Sequence, residues 1–461
     1  MVCRIIFYFV LILPLLVTSL NVLVLGGTGR IGSAVASHLL LLSQTAANEP
    51  LHIVLSGRDI KRGEAAVQEV LAENRGCSGS SVEFRQLDWR DDKKLRQELQ
   101  GISAVIHTAG PYAGEEPVVL KAALDLSVPV YVDLSDPVEY LDRAKSIGSD
   151  VTENKETLAL CAAGAFPGMS NVLAMECVAR LGEDTSVKDI DFSYFTAGLG
   201  GSGDVNLYIT NDGFGEEVPV YRDGVPYPTM DAGCRERTAG APTRVKFFLD
   251  EKLDPSATLV GERAVWSWPF PEGTLIPRQL ETQRRGISGR SSVGMGTAPA
   301  IWNDVMGIMV DVVPRKWWKS RAFSIGLARF SKPLVALTDL FVGETHAMRI
   351  DVTGEDGRRV SAVQAHESFR LVVGQSCAEF TRAMLESKGL FGPPRSSGKD
   401  IVENANFVRI PLPSRGVFTP EELFAQADVR KPMLDRLLTV PGTLNAGFEE
   451  EMTEVQLPSS P

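Results

Sequence analysis

Cysteine is scarce and scattered in this chain. Cys3, Cys77, Cys161, Cys177, Cys234 and Cys377 are the six, and no two form a C-x-x-C pair. That spacing excludes a zinc ribbon and a thioredoxin-type redox motif. A chain of 461 residues needs no disulfide staples, so the cysteines read as free thiols. Histidine is scarcer, with five residues and no close pair. No H-E-x-x-H and no His-rich metal site is available, and no metal is expected. A Walker A loop and a G-x-S-x-G elbow are both absent. None of the eight tyrosines has a lysine four residues on. This removes the pair through which a short-chain dehydrogenase lowers its tyrosine pKa. Asn-x-Ser/Thr is absent too, so nothing supports a glycoprotein. Positive charge is in deficit: 47 Lys and Arg face 58 Asp and Glu, for a net charge of −11. Such a surface repels phosphate backbones, which argues against a general nucleic-acid binder.

What is present is ordinary for a globular protein, with 44% hydrophobic and 23% charged residues. A disordered, collagen-like or multi-spanning membrane chain is excluded. The length suits two large domains or three smaller ones. Residues 5–20 form an apolar run behind Arg4, ending in Val17-Thr18-Ser19. Residues 1–19 read as a signal peptide cleaved after Ser19, with an uncleaved anchor or a misplaced start as alternatives. The expected location is the secretory route, an organelle or a membrane.

From residue 21 to 165 apolar strands alternate with helical stretches. Strands are expected at 22–25, 51–56, 82–86, 104–107, 129–132 and 157–162. Helices are expected at 31–42, 61–74 and 117–126. This order implies an α/β fold, a Rossmann-type doubly wound parallel sheet, over 20–165. The texture changes after Pro167-Gly168. Residues 166–375 carry a helix at 169–181, a strand at 189–196 and many short strands and turns. A hairpin closes over Gly354-Glu355-Asp356-Gly357. They read as a second mixed α+β domain for a small-molecule substrate, and as the place for a homodimer contact. Residues 376–440 read as a C-terminal helix and loop returning to the first domain, and 441–461 as a disordered acidic tail.

Gly26-Gly27-Thr28-Gly29-Arg30-Ile31-Gly32 follows the first strand and opens a helix. Gly27, Gly29 and Gly32 fit G-x-G-x-x-G, which allows a tight turn and close approach of a pyrophosphate to a helix N-terminus. The second strand ends Ser56-Gly57-Arg58-Asp59. An NAD enzyme usually carries an acid at that tip. A hydroxyl and a guanidinium there suit the 2′-phosphate of NADP, so NADP is expected over NAD. Asp59 has two open readings, ribose ligand or helix cap. Asp88 and Trp89 follow the third strand where adenine would lie; a helix cap and a packed Trp is the other reading. The fourth strand runs into His107-Thr108-Ala109-Gly110, where Ala109 and Gly110 leave room for the cofactor.

These segments resemble the saccharopine dehydrogenase-like oxidoreductases. Residues 25–32, Ser56-Gly57-Arg58, 107–112, 131–136 and 164–168 come in that family's order, as do Gly343-Glu344 and 416–422. The resemblance implies a Rossmann domain with an inserted α+β domain. It implies hydride transfer to or from a small amine, imine or carbonyl. It also implies that Gly164-Ala165-Phe166-Pro167-Gly168, with Pro167 and Gly168 at its end, borders the nicotinamide and the substrate. His107, Asp133 and Cys161 are weak catalytic candidates. The helix after Gly168 is expected to present its N-terminus to a negatively charged substrate. Arg235, Arg237, Arg244, Arg284 and Arg285 are the cations available for substrate carboxylates. A catalytically idle NADP-binding scaffold or sensor at a membrane is the alternative. Its motivation is Pro314-Arg315-Lys316-Trp317-Trp318-Lys319-Ser320-Arg321, two Trp among four cations, which suits a bilayer interface or a helix covering the second domain.

Overall fold

The computed structural model describes residues 20–45, 50–75, 79–151, 156–198, 204–222, 225–231, 243–249, 254–392 and 409–452. The first half runs β1 (Leu20–Leu25), α1 (Arg30–Thr45), β2 (Leu51–Gly57), α2 (Ile60–Glu73), β3 (Ser81–Gln86), α3 (Asp92–Glu98), β4 (Ala104–His107), α4 (Val118–Asp125), β5 (Val130–Asp133), α5 (Val138–Val151) and β6 (Leu158–Leu160). After α6 (Met169–Arg180) come β7 (Val187–Ala197), α7 (Asp204–Gly213), β8 (Glu217–Arg222), β9 (Val225–Asp231), β10 (Thr243–Lys246), α8 (Pro255–Leu259), β11 (Glu262–Ser267), α9 (Glu272–Thr282) and β12 (Ser291–Ala298). Then follow α10 (Ile301–Val312), α11 (Arg315–Trp318), α12 (Arg321–Val342), β13 (Thr345–Gly354) and β14 (Arg358–His366). The chain closes with α13 (Phe369–Ser387), β15 (Gly416–Phe418), α14 (Pro420–Leu423), α15 (Ala427–Leu437) and β16 (Thr443–Met452).

The first sheet is parallel throughout, in the order β15-β6-β5-β4-β1-β2-β3. Its central strands are apolar on both faces because helices cover both; Val22, Leu23, Val24 and Ile53, Val54, Leu55 are fully buried. The strand order reverses between β1 and β4, and ligands of such sheets bind outside the strand ends at that point. The seventh strand, β15, comes from near the C-terminus. So does α13, which lies on α1; a Cβ on Gly374 would sit 2.7 Å from the Ala34 methyl. Only a bare backbone permits that approach.

The second sheet has nine strands. Its path runs β10-β11-β12-β7-β13-β14-β16, and β8 and β9 attach beside it. Its inner face, with Phe192, Tyr194, Met348 and Ile350, shares one apolar core with α6, α13 and the first sheet. The two domains are therefore packed into a common interior.

Two readings need correction. Residues 443–452, placed above in a disordered acidic tail, form β16 along β14. Their acidity misleads because the complement is remote in sequence. Glu451 stands opposite Arg359, and Arg180 lies 4.0 Å over the Phe448 ring and 3.9 Å from Glu450. A charged edge strand of this kind also discourages further strand pairing. Of the paired tryptophans, Trp318 is 1% exposed beneath Phe323, whereas Trp317 is 52% exposed. One is core and one is surface. Residues 1–19, Cys3, Cys77, Cys234, Arg235 and Arg237 lie outside the described residues. Cys161, Cys177 and Cys377 are buried free thiols.

Candidate functional site: a dinucleotide groove

Tight backbone closure shapes the loop between β1 and α1. Gly27 N donates to Val24 O at 3.1 Å, and Gly29 N donates to Gly26 O at 2.8 Å. A Cβ on Gly32 would lie 2.5 Å from Gly26 O, so the loop itself excludes any side chain there. At Gly29 the sole close neighbour is Gly26 O at 3.1 Å, and the other side of that position faces open space. The amides of Arg30, Ile31 and Gly32, in the first turn of α1, have no protein acceptor among the described residues. They are the orphan donors every helix leaves at its start, here pointed into a groove.

That groove has a volume of about 320 Å³. Gly26, Thr28, Gly29, Arg30, Ile31 and Gly32 form its floor, and Thr108, Ala109 and Gly110 its inner end. Its outer end carries Ser56, Arg58, Arg62, Leu87, Trp89 and Arg90. Gly27 closes the turn below, its Cα against Leu55.

The outer end is cationic. Arg58, Arg62 and Arg90 are all exposed there, and Arg30 is exposed on the floor beside them. Arg90 stacks on Trp89, 4.1 Å from the ring centroid, and bonds Glu115 at 2.5 Å. Asp59 also lines the groove and is exposed, the one acid among the lining residues. Its Oδ1 accepts from Arg62 N at 3.0 Å and caps α2, which supports the helix-cap reading. Ser56 lines the groove but is 1% exposed, with its hydroxyl 3.4 Å from Val24 O, so Arg58 is the stronger anion ligand of the two. Asp88 turns back on its own loop, accepting from Arg90 N at 3.1 Å; its neighbour Trp89 is the groove residue. Arg62 and Arg90 were not singled out from the sequence. Their signal was one helical turn beyond Arg58 and one residue beyond Trp89.

The three weak catalytic candidates are buried away from the groove. His107 is wedged between Trp89 and Tyr112, ring centroids 5.0 and 5.2 Å away. Burial, with Arg90 nearby, pushes its pKa down to about 3, so it stays neutral. Asp133 accepts from Ser135 N, Ser135 Oγ, Ala162 N and Tyr131 OH at 2.6–3.1 Å. It ties β5 to the segment after β6. The Cys161 thiol is pushed up by burial and by Asp133, the reverse of an activated nucleophile.

Gly164, Ala165, Phe166, Pro167 and Gly168 form a closed turn. Gly164 N donates to Pro167 O, and Met169 N donates back to Gly164 O. Gly168 has φ +138°, and a Cβ there would lie 1.9 Å from Gly164 O. Phe166 projects across the domain boundary, stacked 4.4 Å from Tyr194 and 4.9 Å from His346. The α6 N-terminus is not presented to a ligand. Ser170 N bonds Ala165 O, and Asn171 N bonds Gly168 O, so its donors are consumed by the turn. The arginines do not converge either. Arg244 pairs with Glu262 and Arg285 donates to Gly182 O and Thr185 O, while Arg284 is exposed after α9.

Sequence reasoning missed a polar cluster under this turn. Glu272 Oε1 accepts from Ser170 Oγ at 2.9 Å and Tyr194 OH at 2.6 Å, while its Oε2 has no partner. Glu421 accepts from Asn171 Nδ2 at 2.7 Å and Thr419 Oγ1 at 2.5 Å. Burial pushes both carboxyls up to about 7. No local motif marks Glu272, whose partners lie 78 and 102 residues away.

The family model described as "NAD dependent epimerase/dehydratase family" matches residues 22–121, from β1 into α4. The first domain has the doubly wound parallel topology of a Rossmann fold. No curated protein matches the chain. Among solved structures, this Rossmann chain is similar to levoglucosan dehydrogenase in complex with NADH, at 11% identity and a TM-score of 0.33 over 76% of each chain. It is similar to a short-chain dehydrogenase/reductase (wide type) from Veillonella parvula DSM 2008 in complex with NADP. There the identity is 16% and the TM-score 0.22, over 31% of this chain and 67% of that one. It is also similar to AtPrR2 in apo form, at 18% identity and a TM-score of 0.22 over 31% of this chain. The chain spans about half the length of that last structure, 48%.

Proposed function

We propose that this chain is an NADP-dependent oxidoreductase of the saccharopine dehydrogenase-like type, acting on a small amine, imine or carbonyl. The observation that carries the reading is the cationic lining of the groove, where Arg30, Arg58, Arg62 and Arg90 stand and the one lining acid, Asp59, is engaged in capping α2. The residues fit a dinucleotide. The glycine loop and the orphan amides of α1 would hold the diphosphate, Trp89 would flank the adenine, and Arg58 with Arg62 would take the 2′-phosphate. When bound, NADP supplies or accepts the hydride. Ala109 and Gly110 leave room at the inner end. An amine substrate carries its own proton, which suits a site whose nearby acids and thiol are committed to the fold.

A second reading, an NADP-binding scaffold or sensor without turnover, is favoured by that same commitment of His107, Asp133 and Cys161. Nucleotide titrations of the parent and Arg58→Ala test the cofactor choice. A charged hydrogen bond to phosphate is worth about 1.5–3 kcal/mol, or roughly 10- to 150-fold in Kd. NADPH should weaken by that factor and NADH should barely change. Equal losses for both, or tighter NADH in the parent, refute the assignment. Turnover in a screen of amines, imines and carbonyls, followed by NADPH absorbance, separates enzyme from scaffold.

A further inference from the structure

Helix α12 presents a second, unexplained surface. Phe330, Leu334, Leu337 and Phe341 recur at the spacing of one helical face, and all four are 47% to 85% exposed. On α10, Ile301, Ile308 and Val312 repeat the pattern at 60% to 72% exposure. The two helices are linked by Trp302 Nε1 donating to Thr338 Oγ1 at 3.0 Å, and both pack on the buried cluster of Phe214, Trp268 and Trp318, α10 through Met306 and Met309 and α12 through Phe323 and Leu327. Their inward faces are therefore already used, and the outward stripes are additional. Scattered single apolar residues on a surface are normal, but two stripes on joined helices are not.

Charge distinguishes the occupants. Residues 301–342 hold six cations, Arg315, Lys316, Lys319, Arg321, Arg329 and Lys332, against three acids, Asp304, Asp311 and Asp339. That is a net +3 in a chain whose net charge is −11. All six cations fall between Asp311 and Asp339, in a stretch without a carboxylate, and Trp317 sits half-exposed among four of them. A second copy on a two-fold axis would press this positive surface against itself. An anionic bilayer complements it: aromatic and leucine side chains enter the acyl boundary while Lys and Arg meet the headgroups. Among the described residues no helix is long and apolar enough to cross a membrane.

We infer that the α10–α12 layer is a docking face for an anionic lipid surface, on which the protein lies without spanning it. The test is flotation of the full chain with phosphatidylcholine vesicles, with and without about a third of phosphatidylserine. Two triple variants accompany it: Phe330→Ser with Leu337→Ser and Phe341→Ser, and Lys316→Glu with Lys319→Glu and Arg329→Glu. All six positions are exposed, and circular dichroism melting checks that each variant folds. Residues 5–20 are common to all three proteins, so differences among them report the helical layer. The parent should float with the anionic vesicles only, and each variant should bind at least tenfold more weakly. Equal flotation of parent and variants overturns the inference, as does a parent that binds neither vesicle. A parent that stays in solution as a dimer, and becomes a monomer in the serine variant, assigns the face to a second copy instead.

Discussion

Replacing Glu272 with Gln should change how the protein's stability depends on pH, and the structure sets the size of the change. The carboxyl is fully buried in the first turn of α9, with two donors on Oε1 and none on Oε2. Burial raises its pKa from 4.5 to about 7. The folded state thus holds this proton more tightly than the unfolded chain does. Its contribution is fully present below pH 4.5 and is lost as pH rises through about 7. At about 1.4 kcal/mol per pH unit, the parent should lose on the order of 3 kcal/mol through this residue between pH 5 and pH 8. Gln has no proton to lose. Its carbonyl can keep the bonds from Ser170 and Tyr194, and its amide leaves unpaired what the protonated acid also left unpaired. At pH 5 the variant should therefore lie within about 1 kcal/mol of the parent, the scale of one neutral hydrogen bond. Above pH 7 it should be the more stable protein. Glu421 titrates in the same range but is present in both proteins, so the difference between the two curves isolates Glu272. Urea unfolding from pH 5 to pH 8 supplies those curves. Parallel curves across that range would refute the argument, because they would mean that Glu272 enters the fold already ionised.

Gly29→Val should abolish dinucleotide binding by calorimetry while melting stays near the parent's, because the space beside Gly29 is the groove. Gly32→Ala should instead lower the melting temperature, since its Cβ would strike Gly26 O. Gly168→Ala should destabilise the whole chain, by about 1–3 kcal/mol for the backbone strain alone; unchanged melting would mean that the turn is looser than its hydrogen bonds indicate. Arg430→Ala should cost about 1.5–3 kcal/mol in denaturant unfolding, as Glu176, 2.9 Å from Arg430 with both side chains about 95% covered, is left with Arg180 alone at 3.1 Å. A loss below 1 kcal/mol would show that water reaches Glu176 once the arginine is gone.

The parallel sheet was legible because the strands of the first half, apart from the polar edge strand β3, are short apolar runs next to their own helices, so local pattern and global pairing agree. The glycine loop was legible for the same reason: strand, turn and helix are contiguous. Arg58 was readable from its place at a strand tip, but Arg62 needed the turn of α2 to bring it round. The catalytic candidates misled. His107, Asp133 and Cys161 do end strands at the correct edge, yet the sequence does not reveal that Trp89, Tyr112 and Ser135 cover them. Gly168 was expected to border the substrate, and its turn has no room for a Cβ. The cluster around Glu272 and the strand β16 escaped because their partners are distant in sequence. Distance in sequence hides a partner whatever its chemistry.

The contribution of residues 369–437 to the first sheet also governs when this protein can fold. β15 completes the sheet edge, α13 covers α1, and Arg430 neutralises Glu176 on α6. A ribosome releasing residues 20–165 has made six of seven strands but not the helix that shields Val35 and Leu39. That surface stays open to water, or to a chaperone, through the synthesis of more than two hundred further residues. A stop codon that removes α13 to α15 takes away part of the cofactor domain as well as the C-terminus. Expressing the cofactor half alone as a minimal fragment would leave an apolar face uncovered, so a compact excised version needs residues 369–437 joined to it.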